Sequence, residues 1–531
     1  MTNFAFSRNV LPWPKTSRKW KDATKSLSQW LCTSSRPAQL VHDEGFRKFI
    51  NTICPAFEVP SSNTICRYIE EDYYIEREKL CIELDDVEFI AISTDAGSSS
   101  NAVSFLEVHA HYVTRDWKLK SVTLAVREFK GEHTADVYRQ TTDGILDEYG
   151  IKEKVIMNVT DNEPKMKKAY PSFERNGCAA HMLHSTTSLG LKSQELISDV
   201  IKHMRKVAQK HNKSCKFRSL VEDHQKEAGL KVRPILQDVE NRWGSTRVSS
   251  ESFLNHEDDA CKEKYANFRA INSAIRSLNL KRNEIDDLVF SEDEMVVIDN
   301  LHDFLVKLDI YATELGGSKY VTSSIVQPVM KSIQAHLSPN VNDVAYIADM
   351  KKIMLPDLQK RINENTHSLA ITLSAAIDPR FKRLKAFDKD KRPGIKKKLV
   401  EVATIVCRNY EFSNINNSSS QSEPTEKKRK LYLDFQESDD EYESDGEEVV
   451  KEFERFENEV EDRNADPLLW WKKRESVYPN LSKVAKKYFC IPATSVEPER
   501  LFSNLSNLLT KRRLNLSGTH VDMQLFLKDK V

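Results

Sequence analysis

No run of apolar residues in this chain approaches the roughly 18 needed to cross a bilayer, so no membrane span is expected. The N-terminus also lacks the apolar core of a secretory signal. The nine cysteines are odd in number and include no Cys-x-x-Cys pair. That excludes a disulfide framework and reads as reduced thiols in an intracellular protein. Excess charge is missing too, since 80 Lys and Arg balance 80 Asp and Glu. The overall field therefore does not mark a nucleic-acid binder, and any such role falls to local patches. What the chain does have is length: 531 residues leave room for about two to four domains and a large core.

Residues 1–40 carry Arg8, Lys15, Arg18, Lys19, Lys21, Lys25 and Arg36 against a single acid, Asp22. They read as a flexible basic arm, either simply solvated or in contact with a nucleic-acid backbone. Residues 41–86 read as helical. From 87 the period changes. Residues 88–94 form a strongly apolar strand ending at Asp95, residues 103–112 a broadly alternating second strand, and residues 121–126 a third. Thr134 is placed to cap a helix that Gly150 stops, and residues 154–160 form a fourth strand ending at Asp161. The pattern by itself predicts an α/β fold with a mixed sheet, its first part spanning 87–254. Residues 255–410 are helical and strand-poor. Residues 411–447 are a polar, then basic, then acidic linker with too little apolar surface to order itself. Residues 448–531 are helical again.

Asp95 and Asp161 each follow a buried-type strand. The plain reading is turn formation. The alternative is a pair of carboxylates at one sheet edge, able to hold two hard cations about 4 Å apart for in-line phosphoryl displacement. Cys178, His181 and His184 offer nitrogen and sulfur ligands at helical spacing. No fourth ligand is evident, so no convincing zinc site is expected. Lys202, Arg205, Lys206, Lys210, Lys213, Lys216 and Arg218 fall in a stretch without an acid. That stretch is either a solvated helix face or a phosphate-contacting one. Lys427, Lys428, Arg429 and Lys430 have the composition of a nuclear localisation signal. Trp470, Trp471, Tyr488 and Phe489, followed by Leu501, Phe502 and Leu505, have the density of either a core or an interface.

The segments Asp466 to Trp471, Ile491 to Ser503 and Val521 to Leu527 together resemble the C-terminal dimerisation region of the hAT (hobo–Activator) transposases and their cellular descendants. Ser93-Thr94-Asp95-Ala96 and Thr160-Asp161-Asn162 look like the motifs holding the family's two catalytic aspartates. Glu499 matches its third carboxylate. Cys178 to His181 looks like its Cys-x-x-His helix start. Arg242-Trp243 resembles the motif whose tryptophan stacks on distorted DNA ends, and Asp378 to Lys382 resembles a further recurring motif. The resemblance implies a ribonuclease-H-like core interrupted by a large all-α insertion, with an α-helical N-terminal region and a C-terminal helical dimerisation segment that completes the core. It implies Cys178 and His181 as neighbours of the carboxylates, Mg²⁺ or Mn²⁺ as cofactor if the chain is catalytic, DNA and a second copy as partners, and a nuclear location.

The chain is similar to the zinc-finger BED-type proteins, yet Cys32, Cys54 and Cys66 do not have the spacing of a BED finger. It also has Gly97 where the family commonly has an aromatic residue, and Pro498 where it has a small one. Two expectations follow. One is a domesticated hAT descendant, nuclear, dimeric and associated with DNA or chromatin. The other is an active transposase with an Asp95, Asp161 and Glu499 triad.

Overall fold

A computed structural model describes residues 11–98, 103–129, 133–170, 175–240, 242–255, 264–365, 369–417, 443–495 and 518–531. The chain divides into two compact units. The first comprises 1–178, 318–324 and 368–531, and the second 179–317 and 325–367.

The first unit opens with helices α1 (Arg18–Thr33), α2 (Glu44–Ile53) and α3 (Ser62–Asp85). Ser17 starts α1 by accepting the Trp20 N–H at 3.3 Å. Trp20, Leu27 and Leu31 then share one helix face and are buried. This corrects the expectation of a flexible arm for residues 18–33, while residues 1–10 lie outside the described residues. The basic residues of α1 lie on its outer side, where Lys25 pairs with Asp72 of α3 at 3.2 Å, while the apolar stripe is anchored by the Trp20 indole N–H donated to the Glu58 carbonyl.

The sheet follows as β1 (Ile90–Ser98), β2 (Ser104–Val113) and β3 (Leu119–Phe129), then α4 (Ala135–Glu148), β4 (Val155–Thr160), α5 (Pro164–Ala169) and β5 (Arg175–Gly177). Its order is β3-β2-β1-β4-β5. The β1–β2 and β2–β3 pairs are antiparallel, and the β1–β4 and β4–β5 pairs are parallel. The mixed sheet matches the sequence reading, as does the Thr134 cap on α4. The three-residue strand β5 was not foreseen, because so short a run carries no readable alternation. Ile90 and Ile92 of β1, with Leu106, Val108, Ala110 and Tyr112 of β2, face a core shared with α1, α3 and α4. Every residue of β2 is buried. Both faces of that strand are therefore covered, which is why its alternation is only broad.

The second unit contains helices and no strand among its described residues. They are α6 (Ala179–Ser193), α7 (Glu195–Lys213), α8 (Cys215–Glu227), α9 (Trp243–Leu254), α10 (Ala266–Arg276), α11 (Arg282–Asp286), α12 (Glu292–Leu315), α13 (Val326–Leu337) and α14 (Ala345–Asn365). The boundaries differ from those read from sequence. Residues 179–254 pack with this helical unit, because α6 lies so close against α14 that a Cβ at Gly190 would run into Met354. Residues 369–410 return to the first unit instead. There the all-apolar helix Leu369–Ile377 packs on helix Pro479–Phe489.

The rest of the first unit closes over the sheet. Phe456, Trp470, Trp471 and Tyr478 form one aromatic cluster with centroids 4.9 to 6.3 Å apart. The Trp471 indole donates to the Ile377 carbonyl at 3.2 Å. The Asp378-to-Lys382 motif works beside it. Buried Lys382 donates to the carbonyls of Phe456 and Glu459 at 2.5 and 2.7 Å, at the C-terminal end of helix Glu443–Asn458. Helix Gly518–Leu527 sends Met523, Phe526 and Leu527 into the sheet core. Its Asp522 accepts the Val126 N–H from edge strand β3 at 2.7 Å and lies 3.4 Å from Arg127.

Burial pushes the Asp522 carboxyl up to about 6, against the pull of Arg127 and the Val126 N–H. A raised folded-state value favours the protonated form. This group's contribution is therefore full below the ordinary carboxylate range and is lost as pH rises through about 6, a swing of about 3 kcal/mol. Asp522→Asn keeps an acceptor for Val126 and cannot ionise. The variant is expected to melt above the wild type at pH 7.5, with the gap narrowing as pH falls to 5. A gap independent of pH in paired melts would refute this.

Candidate functional site

The parallel register pairs Thr94 with Thr160, so Asp95 and Asp161 are the next residues on neighbouring strands, which lie about 4.8 Å apart. Asp95 is buried and Asp161 half-buried. β1 does not end at Asp95. It continues through Gly97, which pairs with Phe105. The missing aromatic at Gly97 therefore does not loosen the backbone that carries Asp95. Asp161 begins a loop in which its carboxylate accepts the Glu163 N–H at 3.2 Å.

Arg175 on β5 fastens that loop. Its guanidinium donates to Thr160 Oγ1 at 2.7 Å, to Asn162 Oδ1 at 2.8 Å and to the Asp161 carbonyl. Cys178 donates its N–H to the Thr160 carbonyl at 2.8 Å and accepts the Ser495 N–H on sulfur at 3.3 Å. Residue 495, four places before Glu499, thus sits against the end of β4. Glu499 itself lies outside the described residues, as do Leu501, Phe502 and Leu505, and Lys427, Lys428, Arg429 and Lys430.

Three side chains at this edge were not singled out from sequence. Burial, then the negative charges of Glu163, Asp161 and Asp95, push the Tyr138 phenol up to about 12. His133 bridges Tyr138 Oη at 3.0 Å and Ser104 Oγ at 2.6 Å. Glu107 lies directly across from Asp95 in the β1–β2 register. It is fully buried, and neither carboxylate oxygen has a hydrogen-bond partner among the described residues. Burial and Asp95 raise it well above the usual carboxylate range. The readable signal for Glu107 was an acid inside an otherwise apolar strand.

Asp95, Asp161 and the orphaned oxygens of Glu107 are the donor type that hard divalent cations take. Among the described residues, no group of three or more His, Cys, Asp or Glu side chains closes round a common point. Cys178 belongs to the first unit and His181 to the second, in the opening turn of α6. There, burial, His181, Lys192 and Arg242 hold His184 below its ordinary value.

The basic run resolves into two kinds of residue. Lys202 pairs with Asp199 at 2.8 Å, Arg205 grips Asp238 through two bonds of 2.8 and 2.7 Å, and Lys206 pairs with Asp287. Their acids come from outside the stretch, which is why the run looked unopposed. Lys210 on α7 is half-exposed, Lys213 at its end and Lys216 on α8 are exposed, and none of the three has an acid partner among the described residues. Arg242 is exposed at the N-cap of α9. Trp243 is buried at 7% exposure, which corrects its reading as an open stacking platform. Its motif braces the fold: Ser245 accepts the Val239 N–H at 2.7 Å, and Thr246 reaches Asp238 at 3.5 Å.

Trp470, Trp471, Tyr488 and Phe489 are likewise buried within their own chain, so they serve the core and not an open contact face. Leu469 and Val477 point outward instead, at 54% and 45% exposure.

Two regions of the chain match known protein families. Residues 445–531 match the hAT family C-terminal dimerisation region, and residues 93–189 match the ZBED1 RNase-like domain. A Zea mays protein named as an AC transposase is 22% identical, covering 96% of this chain and 65% of its own length. Human zinc finger BED domain-containing protein 4 is 19% identical, covering 96% of this chain and 43% of its own. Zinc finger BED domain-containing protein RICESLEEPER 3 of Oryza sativa is 20% identical, covering 89% and 64%. The chain thus spans under two thirds of the length of each of these relatives. With its mixed sheet, its paired strand-edge aspartates and these two matched regions, the chain is a relative of the hAT transposase family.

Proposed function

We propose that this chain is a transposase-derived, nuclear, DNA-associated protein that works as a dimer and retains a divalent-cation site at Asp95 and Asp161. The observation that carries the reading is the β1–β4 register, which sets those two carboxylates side by side. Mg²⁺ or Mn²⁺ is the cation such oxygen donors suit, and when bound it would stabilise charge on phosphoryl oxygens. The chain's own part is to hold Asp161 by the Arg175 clamp and Asp95 by a strand that continues past it.

A second reading, an active transposase that cleaves and transfers strands, adds Glu499 as third carboxylate. It is favoured by the Ser495–Cys178 contact, because four residues of chain reach at most about 14 Å. Strand nicking on cognate element ends with Mn²⁺ separates the two readings. Cleavage that Asp161→Asn abolishes supports the enzyme. No cleavage from a folded chain that still binds DNA supports the binding protein.

The DNA-contacting surface is assigned to Lys210, Lys213 and Lys216, with the N-cap Arg242. Each phosphate contact contributes about −0.9 to the slope of log affinity against log salt. Replacing the three lysines with alanine is expected to flatten that slope by up to about 2.7. An unchanged slope would make this a solvated face. Arg205→Ala is expected to act on the fold instead. It strands the buried Asp238, at about 3–5 kcal/mol, and is read as a lower Tm.

Self-association is assigned to the matched C-terminal region, through outward residues such as Leu469 and Val477. Sedimentation at micromolar concentration is expected to give a dimer or larger species. A clean monomer would overturn the assignment.

A further inference from the structure

Glu107 sits in the middle of interior strand β2 with no exposed surface and, among the described residues, no hydrogen bond to either oxygen. Other buried acids of the first unit are provided for. Glu452 accepts the Asn480 and Leu481 N–H groups at the start of helix Pro479–Phe489, and Asp378 is gripped by Arg380 at 2.8 Å. An ionised carboxylate without such partners costs several kcal/mol to bury. The histidines on the same strand give no relief. Burial holds His109 and His111 down at about 3, so both are neutral.

The acid directly opposite makes the cost larger. Residues paired across antiparallel strands place their Cβ atoms about 4.5–5.5 Å apart on the same face, and like charges there repel. Glu107 faces Asp95 in this way. A chain that keeps two adjacent carboxylates, one of them without a hydrogen-bond partner among the described residues, offers oxygens that a bound cation would satisfy. The orphaned group lies on β2, the strand beside β1 on the side away from β4 and Asp161.

We infer that Glu107 is a further ligand of the divalent cation held by Asp95, making the strand pair β1–β2, as well as β1–β4, part of the cation site. The inference rests on the cation-site reading above and adds a residue to it. Glu107 supplies oxygen donors from a rigid central strand, where packing and sheet hydrogen bonds leave it little freedom. The cation in turn relieves the repulsion between the two carboxylates. Cation binding is then coupled to the stability of the sheet itself, because the ion binds the folded pairing and not the unfolded chain.

The test is Mn²⁺ binding to the full chain by calorimetry and by electron paramagnetic resonance, together with melting curves with and without the metal. The variants are Glu107→Gln, Asp95→Asn and, as an apolar control of similar size, Glu107→Leu. Wild type is expected to bind Mn²⁺ and to gain Tm with it. Glu107→Gln is expected to bind at least about tenfold more weakly and to lose most of the metal-dependent gain. Without metal it is expected to melt at or near the wild type, since an amide replaces an acid that burial already holds protonated. If Asp95→Asn abolishes binding while Glu107→Gln and Glu107→Leu bind as wild type does, Glu107 is a protonated core residue and this inference is overturned with the cation site intact. If wild type binds no Mn²⁺, the cation-site reading itself fails and takes this one with it.

Discussion

The parallel pairing of β1 with β4 is the constraint on which the rest of the first unit depends. Because Thr94 stands opposite Thr160, the chain delivers Asp95 and Asp161 to one edge of the sheet. Side chains alternate faces along a strand, so a slip of one residue would turn Asp95 into the apolar core and drive Ile90 and Ile92 out of it. Several contacts guard against that slip. Thr94 donates to Asn158 at 3.0 Å between the same two strands, and Arg175 locks the far end of β4 to β5. Ser93 and His111 join β1 to β2 at 2.8 Å. The register is held by specific polar bonds on both sides of β1, not by burial alone.

A sheet so arranged has an exposed edge at β3, and an open edge invites pairing with other chains. The last described helix answers this by laying Asp522 against Val126 while Met523, Phe526 and Leu527 enter the core. The aromatic cluster around Trp471 is buried as core elsewhere in the unit. The region matched to the family's dimerisation segment is therefore in large part intrachain core. Any partner surface is drawn from what remains outside, such as Leu469 and Val477. The stretch that protects this edge is also the one matched to the family's dimerisation region, so a dimer built on it would be coupled to completion of the fold.

Buried charge is handled consistently across both units. Lys382 meets two helix-end carbonyls, Glu452 meets two helix-start N–H groups, and Asp238 meets Arg205. These groups buttress helix ends and loops that the apolar pattern leaves undefined. Against that background Glu107 and Lys530 are charge-bearing side chains with no hydrogen-bond partner among the described residues. Groups of that kind tend to mark sites where something outside the chain completes the structure.

Local sequence determined many of the elements and the positions of the two strand-end aspartates. Strand periodicity, the Thr134 cap and the aspartates behind apolar runs placed β1 to β4, α4 and the Asp95–Asp161 pair, because those signals depend on neighbours a few residues apart. Tertiary structure decided the matters that depend on distant partners. Arg205 and Lys206 look like free cations until Asp238 and Asp287 arrive from elsewhere. Trp243, Trp470 and Trp471 look like contact residues until their burial is seen. The N-terminal arm looks solvated until Trp20 and Leu31 find the core. Glu107 could be read as an odd acid in an apolar strand, but only the antiparallel register places it across from Asp95. The physical reason is the same in each case: a side chain's charge and size are written locally, whereas its partner and its access to water are set by segments tens to hundreds of residues away.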